Sequence, residues 1–310
     1  MAASTFTGAG WIPVGTHPDV LQKIQQSSFV ERFGNKVPMA TRTKLVPRSG
    51  GVVLGRVAKG DPFGESGDAN DSVTMYVDKI GGVVRIDEED VEDSLADVID
   101  TKSVDAADSY ARLLDNSAIA VTAAKGTHGW LYDSLYYVLT QNDTVTGYTA
   151  NSNITKSATA TYDNLSATLG KVEQGDFFDP ADTVIGAHPA FAQTLRGIKG
   201  TDGRPIFNES TAGVAGGGQG GGLSLFGHPF NWSMGLKTSA AGTSAPIGNP
   251  LLVIGNRRYL QRGDRSELEV QFQGADEGAG FLTDQNLLKF RARKGVVYGA
   301  PGAFAIFELG

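Results

Sequence analysis

Residues 44–86 read KLVPRSGGVVLGRVAKGDPFGESGDANDSVTMYVDKIGGVVRI, and this stretch decides the fold. In its second half, Val73, Met75 and Val77 alternate with more polar residues. Alternation with a period of two is typical of a β-strand with one buried face. The pattern therefore predicts a strand over residues 73–86.

The first half of the stretch predicts a partner strand over residues 44–58, and residues 59–68 form a polar tip dense in turn-forming residues. Strands of this length reach about 40 Å, yet a lone two-stranded hairpin is only marginally stable in water. The hairpin therefore needs a surface to lie on, and we expect that surface to be a neighbouring subunit. The contact residues expected at the tip are Arg56, Lys59, Asp61, Phe63 and Glu65.

The amino-acid composition limits the classes of protein to which the chain can belong. Glycine accounts for 41 of 310 residues, nearly twice its usual share, which indicates many loops. The chain has no cysteine, so it forms no disulfide and no cysteine metal site. Its first residues lack the features of a secretory signal, and no apolar run is long enough to span a bilayer, so we expect synthesis in a cytosol and no membrane contact.

Charge is unevenly distributed along the chain. The net charge of −7 argues against a dedicated nucleic-acid-binding protein. Residues 1–60 contain eight basic and two acidic residues, whereas residues 87–108 contain ten acidic residues and one basic residue. This separation suits head-to-tail contacts between copies. A basic arm that faces packaged nucleic acid and two solvated faces without a partner are the alternatives. The basic arm comprises Lys23, Arg32, Lys36, Arg42, Lys44 and Arg48, and the acidic segment starts with Asp87, Glu88, Glu89, Asp90, Glu92 and Asp93.

The remaining elements follow from periodicity. Residues 1–43 are predicted to form an extended arm with a short helix over residues 18–27. Apolar residues at intervals of three and four predict one long helix over residues 88–125. Two further helices are expected at residues 162–174 and 189–198, with a short strand at 182–185 between them and a glycine-rich loop at 212–222 after them. The rest of the chain is predicted to be rich in strands, at residues 225–232, 251–255, 266–273, 286–294 and 296–307.

No motif points to catalysis. Residues 216–221 match the glycine pattern of a dinucleotide site, but no strand precedes them and no helix follows. The acidic residues 87–93 lack the ligand spacing of a calcium loop, and we interpret the tripeptide at residues 262–264, Arg-Gly-Asp, as incidental. We predict no catalytic residue, no cofactor and no metal. A hydrolytic site built from scattered residues stays open, because such sites are recognised by geometry.

Four short strings carry a resemblance to a known family. They are IGGVVRIDEED at residues 80–90, AHPAF followed by KGTDGRP within residues 187–205, LFGHPF at residues 225–230, and GAPGAF at residues 299–304. In their order and spacing, the chain resembles the major capsid proteins of tailed bacteriophages, which have the Hong Kong 97 fold. The likeness covers most of residues 40–310.

The resemblance implies an α+β fold and a structural, non-enzymatic role. Many copies would form hexamers and pentamers of an icosahedral shell around double-stranded DNA, in the virion after assembly in the host cytoplasm. The implied parts are an N-terminal arm (residues 1–43), an extended loop (44–86), a peripheral domain with a long spine helix (87–126 and 256–294) and an axial domain (127–255 and 295–310).

The resemblance also implies partners. We expect a separate scaffolding protein or none, a portal protein, a decoration protein in some relatives, and non-specific contact with packaged DNA. Covalent cross-linking between subunits, known in some relatives, is not expected. An encapsulin-type nanocompartment shell protein shares the fold and stays an alternative, as does a monomeric hydrolase or carbohydrate-binding β-rich protein.

Overall fold

The computed structural model describes residues 27–310 apart from residues 53, 61, 65–69, 94–97, 200–223, 275–279 and 281–282. The helices are α1 (Phe29–Phe33), α2 (Glu88–Asp93), α3 (Val98–Asp115), α4 (Leu135–Leu139), α5 (Tyr162–Glu173) and α6 (Phe191–Gly197). The strands are β1 (Asn35–Pro38), β2 (Thr43–Ser49), β3 (Asn70–Tyr76), β4 (Asp78–Asp87), β5 (Ile154–Ser157), β6 (Thr183–Ala187), β7 (Ser224–Leu225), β8 (His228–Trp232), β9 (Leu251–Asn256), β10 (Leu260–Gln273), β11 (Gln285–Tyr298) and β12 (Phe304–Leu309).

The strands form three sheets. A six-stranded sheet has the order β5-β12-β9-β6-β8-β7, a four-stranded sheet has the order β1-β10-β11-β4, and β2 pairs with β3 alone. The pairs β10-β11 and β11-β4 are antiparallel, and β10 and β11 are the longest strands described. The mixture of helices with largely antiparallel sheets is the α+β class that the resemblance implies.

The six-stranded sheet is buried on both faces. In β9, Leu252 and Ile254 face α5 and α6, whereas Leu251 and Val253 face the larger apolar cluster formed with α1, α4 and the end of α3. All five residues of β6 are buried as well. A central strand covered on both faces is expected to be a continuous apolar run, which is what β6 and β9 are.

Helix α1 packs into this core. Phe29 and Val30 are buried, and the ring of Phe29 lies directly over Gly186 of β6. A Cβ atom on Gly186 would lie 2.5 Å from the ring, so only glycine allows this contact. The last part of the predicted arm is therefore an integral piece of the body. Residues 1–26, with the predicted helix at 18–27 almost entirely among them, lie outside the described residues.

The prediction of one continuous second strand over residues 73–86 is wrong. The chain changes sheets at Val77, because β3 pairs with β2 while β4 pairs with β11. Strand β11 crosses this junction at Gly295, where a Cβ atom would lie 2.0 Å from the Tyr76 carbonyl oxygen. The first strand is also shorter than predicted, since β2 ends at Ser49 and the described residues between 50 and 58 are not in a strand.

The predicted long helix ends earlier than expected. Helix α3 runs without a break from Val98 to Asp115 and continues into one π-helical turn, Asn116–Ala120. Val121 already has extended backbone angles, so the helix does not reach residue 125. Residues 94–97, between α2 and α3, lie outside the described residues, as does the glycine-rich segment at 212–222.

The predicted helices at 162–174 and 189–198 and strands at 182–185 and 251–255 are present with slightly different ends. The single strand predicted over residues 296–307 is wrong, because β11 ends at Tyr298 and β12 begins at Phe304 after a short 3-10 turn. The strand predicted over residues 225–232 is likewise two short strands, β7 and β8. Helix α5 is capped by the Thr161 side chain, which accepts a hydrogen bond from the Asn164 amide. Strand β10 begins six residues before the predicted start, and β11 passes through Gly295 without interruption. Gly295 was interpreted as a strand boundary, whereas its small size lets the two sheets approach.

His188, at the turn from β6 to α6, makes stability depend on pH. Its Nδ1 accepts a hydrogen bond from the Ala190 amide at 3.0 Å. Burial, helped by the positive charge of Lys237, lowers the pKa of His188 to about 4. Because the folded pKa lies below the unfolded value near 6.5, this group favours folding above pH 6.5. That contribution is lost as the pH falls from 6.5 to 4.

We expect the His188→Asn variant to lose less stability on acidification than the parent chain, by about 2 kcal/mol between pH 7 and pH 4. Asparagine keeps an acceptor for the Ala190 amide but does not titrate. Urea unfolding of the unassembled chain at a series of pH values measures the difference. Identical pH profiles for the two proteins would rule out this role of His188.

Candidate assembly surfaces

The base of the β2-β3 hairpin is fixed by a small apolar cluster. Met75 is fully buried, together with Met39, Val77 and Val297. Seven residue pairs, from Thr43–Tyr76 to Ser49–Asn70, join the two strands. The hairpin is thus a continuation of the body up to Ser49.

Arg48 ties the far end of this ladder to the body. Its Nη1 lies 2.7 Å from Asp143 Oδ2, and its Nη2 lies 2.5 Å from Asp71 Oδ2. Nη1 also donates to the Gly299 carbonyl at 3.2 Å. The hydrogen bond from Arg48 lowers the pKa of Asp71, and charge-assisted bonds of this type fix orientation well. The paired part of the hairpin therefore lies against the body, and the projecting part begins after Ser49.

The projecting part exposes large apolar side chains. Val52 is 69 % exposed, Leu54 is 90 % exposed and Phe63 is 87 % exposed. Arg56 and Lys59, two of the predicted contact residues, are also exposed. Asp61 and Glu65 lie outside the described residues. Several large apolar side chains on one exposed segment are typical of an interaction surface.

Most residues of the predicted basic arm bind to other parts of the chain. Lys36 Nζ lies 2.6 Å from Glu267 Oε1, Arg48 is held as described above, and Arg32 Nη1 donates to Asn231 Oδ1 at 3.1 Å. Arg42 and Lys44 are exposed on or beside β2. Lys23 lies outside the described residues. Lys44 Nζ also donates to the Pro38 carbonyl, so four of the six predicted residues have internal partners.

The acidic segment is divided in a similar way. Asp87 accepts a hydrogen bond from Gln285, and Glu88 accepts one from Asn286, so both carboxylates bind to the start of β11. Glu89, Asp90 and Glu92 of α2 are exposed. Asp93 is in α2, but its side chain is not among those described. The exposed side chains leave a negative surface at the start of this helix.

A buried charged group that the sequence did not reveal joins α1 to the four-stranded sheet. Lys294 is completely buried, with Nζ 3.0 Å from Asp264 Oδ1, 3.7 Å from Glu31 Oε1 and in contact with Glu267. Hydrogen bonds from Lys294 and Lys36 lower the pKa of Glu267 to about 2.

The tripeptide that was interpreted as incidental belongs to the same group. Arg262 Nη2 lies 2.9 Å from Asp264 Oδ2, and both side chains are buried. Arg262 Nη1 also donates to the carbonyl of Glu31, the middle residue of α1. These two residues therefore have a structural part in holding α1 on the sheet, and the buried tripeptide is not available to a receptor.

A second buried carboxylate, Asp115 at the end of α3, holds the start of α1. It accepts hydrogen bonds from the amides of Phe29 at 2.7 Å and Val30 at 3.0 Å. The hydroxyls of Ser28 and Ser233 donate to it as well. Burial raises the pKa of Asp115, and the four donors oppose that effect.

None of these clusters has the make-up of a metal or membrane site. Among the described residues, no group of three or more histidine, aspartate or glutamate side chains is arranged to hold a metal ion. Within the same part of the chain, no helix combines the length and hydropathy needed to cross a bilayer. The groups around Arg48 and Lys294 pair acids with bases, and Asp115 is bound by neutral donors, so each of these clusters joins elements of the fold.

Comparisons with known proteins identify the family. A model of the phage capsid family matches residues 8–309. A chain from Mycobacterium phage Ogopogo superimposes with a TM-score of 0.72 at 17 % identity, covering 98 % of this chain and 99 % of that chain. A chain from Mycobacterium phage Bobi gives a TM-score of 0.70 at 16 % identity, covering 97 % and 96 %.

A chain from the capsid of an empty GTA particle gives a TM-score of 0.64 at 14 % identity, covering 98 % of this chain and 97 % of that chain. The search of curated proteins finds no match. At such low identities the structural likeness shows the fold, which agrees with the Hong Kong 97 resemblance. The family model spans nearly the whole sequence, and the chain therefore belongs to the phage capsid family.

Proposed function

We propose that this chain is the major capsid protein of a tailed bacteriophage and that its copies form hexamers and pentamers of an icosahedral shell around double-stranded DNA. Membership of the phage capsid family makes it a structural protein of the virion shell. The observation that carries the finer proposal is the projecting segment after Ser49, which exposes Leu54 and Phe63 almost fully. A single chain gains nothing from exposing these side chains, whereas a neighbour can cover them.

The proposal includes a division of the chain into an arm, an extended loop, a peripheral domain and an axial domain. We propose residues 1–43 as the arm and 44–86 as the extended loop. The peripheral domain comprises 87–126 and 256–294, and the axial domain comprises 127–255 and 295–310. The pairing of β4 with β11 supports one change to these bounds, the transfer of residues 78–86 from the loop to the peripheral domain. The spine of that domain is α3.

The proposal includes no catalytic activity, and function lies in association. Interfaces of obligate assemblies bury thousands of Å² and resemble protein cores. The proposed partners are other copies, a separate scaffolding protein, a portal protein, in some forms a decoration protein, and the packaged DNA through non-specific contacts. Assembly takes place in the host cytoplasm.

Light scattering on the purified chain, followed by electron microscopy, tests the proposal. We expect particles of megadalton mass with icosahedral outlines, formed from the 32.6 kDa chain. Nuclease-protected DNA in particles from infected cells separates a phage shell from a nanocompartment, which would instead contain a cargo enzyme. A species that stays near the mass of one chain under all conditions, including co-expression with the proposed scaffolding protein, would refute the shell.

A further inference from the structure

A cleft of about 270 Å³ separates one side of the β2-β3 hairpin from the body. Val73, Thr74 and Tyr76 of β3 form its hairpin wall, and its body wall includes Tyr137 and Val138 of α4. Among the described residues, β2 and β3 pair only with each other and join neither of the larger sheets. The hairpin therefore has room to tilt against the body as one paired unit.

Two attachments hold the hairpin beside this cleft. At the base, the apolar cluster around Met75 fixes the point where the chain passes from β3 into β4. Toward the far end, Arg48 also lines the cleft and joins the hairpin to Asp143 and to the Gly299 carbonyl. The buried cluster gives the hairpin a pivot, and the contacts of Arg48 decide how far it can tilt.

The contact between Arg48 and Asp143 can open without leaving either charge alone. On the hairpin side, Arg48 keeps a two-pronged pair with Asp71, in which Nε donates to Oδ1 at 2.8 Å and Nη2 donates to Oδ2 at 2.5 Å. On the body side, Asp143 accepts hydrogen bonds from the Val145 amide at 3.2 Å and the Thr146 hydroxyl at 2.9 Å. Breaking a buried ion pair is expensive mainly because it leaves an uncompensated charge, and neither partner is left so here.

We propose that Arg48 is a positioning residue whose contacts with Asp143 and the Gly299 carbonyl form a latch. The closed latch sets the tilt of the hairpin, and the open latch lets the hairpin and its Arg48–Asp71 pair move together about the Met75 cluster. Its part in assembly rests on the proposed shell function. A closed latch presents the projecting part in one direction, which reduces the entropy lost when copies associate.

Distances measured on the unassembled chain test the latch. The chain contains no cysteine, so spin labels can be attached at Ser49→Cys on the hairpin and Ala167→Cys on α5, both exposed positions. By double electron-electron resonance we expect one narrow distance distribution for this labelled parent. Adding Asp143→Asn is expected to make the distribution at least twice as wide. Asparagine keeps an acceptor for the turn at position 143 but lacks the charge that binds Arg48.

Asp71→Asn is the matched control. It removes an equal charge from the same guanidinium group but leaves Arg48 in contact with Asp143 and Gly299. Its distance distribution is therefore expected to stay as narrow as the parent's. Arg48→Lys gives a second test that does not depend on the folding of Asp143→Asn. One ammonium group replaces the planar fork and cannot bridge the three partners, so we expect the distribution to widen as it does for Asp143→Asn.

The same variants, without labels, test the part of the latch in assembly. We expect Asp143→Asn to raise the protein concentration needed for shell assembly at least threefold, because a hairpin with several tilts loses more freedom on association. Asp71→Asn is expected to assemble at the parent's concentration. A widened distance distribution with assembly at the parent's concentration would overturn the part of the latch in assembly.

The outcomes separate the latch from the shell. Distributions of equal width in the parent, Asp143→Asn and Arg48→Lys would overturn the latch. Equal widening by Asp143→Asn and Asp71→Asn would also overturn it, because the loss of any ion pair of Arg48 would then have the same effect. A parent chain that forms no particles would refute the shell function, while the distances in the unassembled chain would still decide the latch.

Discussion

The Asp115→Asn variant is expected to lose about 3 kcal/mol of unfolding free energy in the unassembled chain. Asp115 is completely buried and accepts four hydrogen bonds, two of them from the amides of Phe29 and Val30. An asparagine of the same shape replaces one acceptor oxygen with an NH₂ group that faces donors. At least one buried donor then has no partner, and each such donor costs about 1–3 kcal/mol.

The stability lost in the Asp115→Asn variant is expected to appear first as local unfolding of α1. This helix has only five residues, too few to be stable alone, so it depends on the carboxylate and on the contact of Phe29 with β6. We expect hydrogen exchange at Phe29 and Val30 to become faster than in the parent by a larger factor than exchange in β9. Urea unfolding gives the global value, and exchange monitored by mass spectrometry gives the local one.

A matched control separates the effect of leaving a buried donor without a partner from the effect of removing a negative charge. Asp163 lies in the exposed first turn of α5, and Asp163→Asn removes the same charge without leaving a buried donor. This control is expected to change stability by less than about 0.5 kcal/mol. A loss of less than 1 kcal/mol for Asp115→Asn, or equal losses for the two variants, would show that α1 does not depend on this carboxylate.

The sequence predicted the parts of the fold that depend on local pattern. Alternation at Val73 and Met75 identified a strand, and intervals of three and four identified α3 and α5. The change of sheet at Val77 has only a small local signal, a shift of the alternation by one residue at the polar pair Asp78 and Lys79, and this shift does not reveal that the next residues join a different sheet. What permits it is Gly295, more than two hundred residues later, which lets β11 pass close to the Tyr76 carbonyl.

The buried charges could not be predicted for the same reason. Asp115 and Lys294 are ordinary charged residues in the sequence, and their partners Phe29 and Asp264 come from other elements. Arg48 was counted in a basic arm, yet it is bound to Asp71 and Asp143. Charge balance along a sequence describes segments, whereas burial and pairing depend on which segments the tertiary fold brings together.

Replacing residues 50–69 with the dipeptide Asn-Gly is expected to abolish shell formation while the chain still folds. Ser49 and Asn70 face each other in register, so a two-residue turn of the type that asparagine and glycine favour can join them. The ladder from Thr43 to Ser49 and the Arg48 ion pairs stay in place. We therefore expect a melting temperature within a few degrees of the parent's for the unassembled chain.

The expected loss of assembly follows from the side chains that the change removes. Burying a large apolar side chain contributes about 1.5–3 kcal/mol, and Val52, Leu54 and Phe63 are all exposed in the single chain. Part of that gain is offset by the entropy lost on association. In a closed shell, every copy both contributes its projecting segment to a neighbour and binds the segment of another copy. The association free energy lost by removing the segment is therefore lost at every contact between subunits.

Two measurements on this variant separate folding from association. Circular dichroism with thermal unfolding should match the parent, and light scattering should find no megadalton species at concentrations where the parent assembles. A companion variant keeps the length of residues 50–69 but consists of glycine and serine. It should fail in the same way, because apolar contact rather than chain length drives docking. Shells of normal size from the Asn-Gly variant would mean that the body alone forms the lattice, and the projecting segment would then have no part in holding copies together.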